Sequence, residues 1–467
     1  MTDLHYLTIA ELSAAMARRD LSPVEVVQAQ LDRIGAHDGA LHSYACVMAD
    51  EALAAARQAE GEIAIETVRG PLHGVPLGIK DLFWTRGVPM AAGTAIHHDF
   101  RPDQDATAVH RLREAGAVLL GKLEMTEGAY SDYHPSITPP VNPWNADYWP
   151  GISSSGSAVA VAAGLCYGAL ASDTGGSIRW PAAATGVTGL KPSWGRVSRH
   201  GVFELAASLD HVGVLTRSAA DAGLLLDAIA GADPLDPTAV QALVPGRYGD
   251  MATDLRGMRI GIDPHWNGDG VDGVILPALA EAQETLAALG AEIVEVTVPD
   301  VDDAIADWPA NCAVEAAVAH HATYPSRRQD YGAVFAAVLD HGHALSALDY
   351  QRILLRRMAL RGAFDALFAR IELLLTPVHP FAPLSLAQIS TLGEQPHLVA
   401  RLQRYTCPFN MTGLPTLTLP GGHDDAGMPI AFQLVAGHLN EARLIRAGIA
   451  YQRETAWHRR HPPAWDD

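Results

Sequence analysis

The chain has 467 residues, 48% of them hydrophobic and 18% charged, enough apolar material for a large core in one big or two ordinary domains. Its net charge of −20 leaves no excess of positive charge to displace counterions from a phosphate backbone, so nucleic acid is not an expected partner. The four cysteines, Cys46, Cys166, Cys312 and Cys407, lie far apart without a CxxC pair, which argues against a disulfide framework or zinc site and fits a reducing compartment.

The opening stretch, MTDLHYLTIAELSAAMARRD, carries acids and lacks the basic-then-apolar layout of a signal peptide, so a soluble, cytoplasmic protein is expected. Thr8 and Glu11 form a capping-box pattern ahead of Leu12 and Met16. Ser22-Pro23-Val24-Glu25 supplies an N-cap, a proline at the first helical position and a glutamate at the third. Val27, Leu31 and Ile34 then mark one helical face, predicted to end near Gly35. From residue 71 short apolar segments alternate with helical patterns. Buried strands are predicted at 76–83 and 117–123, with a helix around 105–115 between them. The run SAVAVAAGLCYGALA (157–171) is too short for a membrane span and reads as a buried helix. Further strands are expected at 259–262, 292–298, 373–377, 416–420 and 430–436, with helices over 274–290 and 350–369. The stretch 231–250 reads as a surface connection between two lobes. Such alternation predicts an α/β fold whose mainly parallel or mixed sheet lies between helical layers.

Only three of the 33 basic residues are lysine: Lys80, Lys122 and Lys191. Arginine cannot lose its proton in a protein, whereas a desolvated lysine can, so each lysine is a candidate for proton chemistry. Lys80 sits in the apolar segment VPLGIKDLF, where burial would lower its pKa; the plainer reading is a salt bridge with Asp81. Two glycine–serine stretches, PGISSSGSAVAVAAG (150–164) and SDTGGSIRWP (172–181), place hydroxyls and free N–H groups at helix starts. A helix cap plus a tight turn explains these as well as catalysis does. The G-x-S-x-G pattern is absent around Ser153 and Ser177, which leaves a lysine base as the alternative to a histidine triad.

GIKD (78–81), SSSGSA (153–158), SDTGGSIRWPAAATGVTGLKP (172–192) and GRVSRHG (195–201) together resemble the amidase signature family. SLDHVGVLTRSAADAG (208–223), FNMTGLPTLTLPGG (409–422) and GMPIAFQLVAG (427–437) extend the likeness, in order, over nearly the whole chain. The resemblance implies a single domain, 1–467, with a large mixed central sheet covered on both sides by helices. Within it, 1–65 would be N-terminal helices, 66–230 the core bearing the motifs, and 251–467 a lobe completing sheet and pocket. It further implies a Ser-cisSer-Lys triad with Ser177 as nucleophile, Ser153 as the bridging cis-serine and Lys80 as base. The backbone N–H groups of Thr174, Gly175, Gly176 and Ser177 would form the oxyanion hole. Asp173 and Arg179 are expected to brace that loop as an ion pair, and Lys122 and Lys191 to be structural. The family usually shows G-G-S-S-G-G-S, whereas this chain has Ile152 and Ser155 in place of two glycines. Ser154 is the neighbour that would take the bridging role under a register shifted by one.

The segment 125–144 falls where family members line the acyl pocket, which makes Met125, Tyr130, Tyr133 and His134 the substrate-binding candidates. Aromatic rings there suit an apolar or aromatic substrate, although each residue reads equally well as a loop anchor. A stand-alone amidohydrolase of small amides, anilides or carbamates is the preferred reading, with no cofactor, no metal, no membrane association and a homodimer by family habit. The alternatives are the glutaminase subunit of a tRNA-dependent amidotransferase, a metallohydrolase suggested by the 21 histidines but lacking an HExxH motif, and a non-catalytic binding protein.

Overall fold

A computed structural model describes residues 4–242, 244, 246, 248 and 251–465. The connection expected at 231–250 therefore falls partly outside the described residues. Both N-terminal capping boxes form, at Thr8–Glu11 and at Ser22–Glu25. The second helix does not stop at Gly35: it runs from Pro23 to Leu41 and ends at His42 in a left-handed conformation. Leu41 is fully buried and continues the stripe of Val27 and Ile34, and that burial offsets the weak helix preference of Gly35.

The strands are β1 (Tyr44–Val47), β2 (Pro76–Lys80), β3 (Val118–Leu123), β4 (Gly168–Asp173), β5 (Thr188–Lys191), β6 (His211–Thr216), β7 (Arg259–Ile262), β8 (Glu292–Glu295), β9 (Leu373–Pro377), β10 (Thr416–His423) and β11 (Pro429–Ala436). They form one mixed 11-stranded sheet in the order β1-β3-β2-β4-β6-β5-β10-β11-β9-β7-β8. β2 runs parallel to β3 and β4, while β10 joins β5 and β11 in antiparallel pairs. Strand alternation separates two apolar layers. Leu119, Leu170 and Val214 enter a layer with the helix Ala219–Ile229. Their neighbours Val118, Leu120, Ala169, Ala171 and Leu215 enter another with the helices Pro23–Leu41 and Ser155–Ala162. The sheet is thus covered on both faces, as an α/β architecture requires.

The run 157–171 is not one helix. It divides into the helix Ser155–Ala162 and the start of β4, with Gly164 at positive φ (+71°) between them. Both pieces are buried on every side, so the small apolar residues carry no period to tell helix from strand.

Candidate active site

The site lies beyond the carboxyl ends of β2 and β4, where ligands bind in open α/β sheets. Leu77 and Ile79 pack into one layer, and alternation turns Lys80, the last residue of β2, toward the serine cluster that opens the helix Ser155–Ala162. Lys80 is fully buried. Its Nζ donates to Ser153 Oγ (2.8 Å), Ser154 Oγ (2.9 Å) and Ser172 Oγ (2.9 Å). No carboxylate pairs with it among the described residues. Asp81 instead meets Lys122 Nζ at 3.0 Å, so the salt bridge considered for Lys80 belongs to its neighbour. Burial brings the Lys80 amine down to about 7, against the opposing pull of Asp173 and Asp210.

The Ile152–Ser153 peptide bond is cis although isoleucine precedes it. Ser154 also touches Lys80, but its own hydroxyl donates to the Ser172 carbonyl (3.1 Å). The Ser154 N–H donates to the Ser177 carbonyl (3.3 Å), which ties the serine cluster to the next loop.

That loop, Asp173 to Ile178, is folded around a buried carboxylate. Asp173 accepts from Gly176 N (2.9 Å), Ile178 N (3.0 Å), Arg179 Nε (3.0 Å), Arg179 Nη2 (2.8 Å) and Asn410 Nδ2 (2.9 Å). Burial alone would raise the Asp173 pKa, but the Arg179 guanidinium and these donors hold it well below the usual carboxylate range. The expected Asp173–Arg179 brace is present. It also corrects one expectation: the Gly176 N–H is taken by Asp173 and does not face the cavity. The N–H groups of Thr174, Gly175 and Ser177 have no acceptor among the described residues, leaving three donors of this loop available. The two glycines are required by rings on either side. A Cβ at Gly175 would come within 2.5 Å of Trp308, and one at Gly176, whose φ is +143°, within 2.6 Å of Trp180. Trp308 Nε1 further donates to the Thr174 carbonyl (2.8 Å), and Thr174 Oγ1 to Asp210 (2.6 Å), whose carboxyl burial pushes up to about 7.

A cavity of about 850 Å³ opens on Ser177, Thr174 and Gly175. Its walls are mainly apolar and aromatic, including Tyr130, Tyr133, Ile152, Trp180 and Trp308, and the helices Leu386–Leu392 and Pro396–Gln403 contribute further aliphatic side chains. Among the described residues Asp132 is its only carboxylate, and no lysine, arginine or histidine lines it. Of the substrate-binding candidates, Tyr130 and Tyr133 line the cavity. Met125 does not: it is fully buried in the hydrophobic core. His134 does not either; its Nδ1 turns to Ser136 (2.7 Å to Oγ) and closes a local turn. Lys191 is structural in its contacts, donating to the Leu414 carbonyl. Trp308, Asn410 and Asp210 are site residues that sequence reasoning did not single out. Asn410 and Asp210 lie within quoted motifs, but nothing local marks Trp308. No cluster of three or more metal-ligating side chains occurs among the described residues. No helix among them is long and apolar enough to cross a membrane.

The family model described as "Amidase" matches residues 25–445. The chain is 47% identical to the protein named "Putative amidase AmiD" of Mycobacterium tuberculosis over 98% of its own length and 96% of the relative's. It is 37% identical to a glutamyl-tRNA(Gln) amidotransferase component from Geobacter metallireducens, covering 98% and 99%. A solved bacterial aryl acylamidase of the amidase signature superposes with a TM-score of 0.86 at 26% identity, covering 97% of each chain. The order of motifs, the fold and this match over most of the chain agree: the protein belongs to the amidase signature family and is an amidase, a hydrolase of carbon–nitrogen bonds.

Proposed function

We propose that the protein is a stand-alone amidohydrolase of small amides, anilides or carbamates with apolar or aromatic groups. The observation that carries this reading is the mainly apolar wall around Ser177, which among the described residues holds no cation, combined with a buried lysine near neutrality. Neutral Lys80 accepts the Ser153 proton, and Ser153 accepts that of Ser177 as Ser177 Oγ bonds to the carbonyl carbon. The N–H groups of Thr174, Gly175 and Ser177 hold the oxyanion. As the C–N bond breaks, the relayed proton returns to the departing nitrogen, and water then cleaves the acyl-serine ester to free the acid and restore the hydroxyl. Glutamine fits this cavity poorly: its α-carboxylate would meet no cation in the wall, and burying an unpaired carboxylate is costly.

The test is product formation from glutamine, a primary aryl amide, an anilide and an aryl carbamate, with Ser177→Ala as control. Arylamine or ammonia release from the aromatic substrates, lost in the variant, is the expected result. Ammonia from glutamine alone would replace this reading with that of the glutaminase component of an amidotransferase. Turnover that survives Ser177→Ala would remove the serine mechanism.

A further inference from the structure

The two residues that replace glycines in the serine cluster both act on the cavity wall. Ile152 lines it directly. Ser155 does not line it, but lies fully buried behind it at the start of the helix Ser155–Ala162, where its Oγ accepts a hydrogen bond from Tyr133 Oη at 2.6 Å. Tyr133 is therefore an amphipathic residue with its polar end occupied: the ring is part of the wall, and the hydroxyl is spent on a partner outside the cavity. Without Ser155 a tyrosine at this position would carry a free hydroxyl next to the substrate.

We propose that Ser155 is a specificity-determining residue, which holds the Tyr133 hydroxyl out of the cavity so that the site selects amides with apolar acyl chains over isosteric polar ones. This inference rests on hydrolysis at Ser177 as proposed above. Ser155 acts through Tyr133 and does not itself touch substrate, so it is a positioning residue. Its loss is expected to change discrimination between substrates, because an apolar wall rejects an added hydroxyl only modestly and a newly freed hydroxyl would reverse part of that rejection.

The p-nitroanilides of butyric acid and 3-hydroxypropanoic acid are matched in shape and differ in one terminal methyl or hydroxyl. The ratio of their kcat/KM values is the readout, measured with Ser177→Ala as a control. Wild type is expected to favour the butyryl substrate. Ser155→Gly should lower that ratio about tenfold, and adding Tyr133→Phe to Ser155→Gly should bring it back toward the wild-type value. Ser155→Ala serves the same purpose should the glycine variant fail to fold. A merely structural role would depress both substrates together and leave the ratio in place. An unmoved ratio in the Ser155 variants, or no recovery in the double variant, would overturn the inference alone. No Ser177-dependent hydrolysis of either substrate by wild type would overturn it together with the reading beneath it.

Discussion

Lys80 is an amine whose three hydrogen-bond partners are hydroxyls, so no described residue at contact distance neutralises a positive charge there. Burial favours the neutral form and Asp173 and Asp210 act in the opposite sense from further away, with a balance near 7. If the neutral amine is the base, kcat/KM rises with pH and is half-maximal near 7. Below that it falls about tenfold per pH unit as the lysine takes a proton. A profile from pH 5 to 9 checks this, and a flat one would remove Lys80 from the base role. Lys80→Ala should lower turnover by roughly 10²–10⁴-fold, the usual contribution of a positioned base. Lys80→Arg should not recover it, because that charge is permanent; an arginine variant of full activity would contradict the mechanism.

The loop Asp173–Ile178 is the element on which the proposed chemistry depends, and its glycines are fixed by packing as much as by conformation. Gly175→Ala would drive a methyl into the Trp308 ring and displace an N–H that has no acceptor among the described residues. The expected loss is that of one oxyanion donor, about 2.7–4 kcal/mol of transition-state stabilisation, read as a fall of roughly 10²–10³ in kcat with the fold retained by circular dichroism. A variant with wild-type kcat would show that Gly175 serves packing only. This loop was legible in the sequence because its glycines, serine and flanking Asp173 and Arg179 are contiguous. The helix caps were legible for the same reason. The strands β1, β4, β5 and β6 were not: β1 and β5 have only four residues each, and β4, β5 and β6 are buried throughout, so no polar alternation betrays them. The pocket was half legible. Tyr130 and Tyr133 line it, but the chain turns between them and their neighbours, sending Met125 into the core and His134 toward Ser136. Trp308 reaches Thr174 from a helix 134 residues away, a contact that tertiary packing alone creates.

Across the whole molecule the loop Asp173–Ile178 is braced by a residue distant in sequence. Asn410, fully buried in the short helix Cys407–Met411, donates to both the carbonyl (3.0 Å) and the carboxylate of Asp173, 237 residues earlier, and accepts from Arg179. Asn410→Ala leaves several buried polar atoms short of a partner, at a cost of about 1–3 kcal/mol in urea unfolding. It should also lower kcat more than it raises KM, since the brace acts on the loop and not on the cavity wall. Asn410→Asp should be worse on both counts, because it sets a second carboxylate against Asp173. A tolerated alanine would show that Arg179 suffices.

The position of β10 in the sheet has a consequence for how the polypeptide is made. β5 pairs with β6 on one side and with β10 on the other, yet Lys191 and Thr416 are separated by more than two hundred residues of synthesis. At about 5–20 residues per second a ribosome needs roughly 10–45 s to cover that interval. If β5 pairs with β6 as both emerge, it stays an open edge throughout that interval, the kind of surface that recruits stray strands from other chains. Asn410 leaves the ribosome only just ahead of β10, so the brace on the loop Asp173–Ile178 and the missing neighbour of β5 arrive together, once the residues up to His423 have been made.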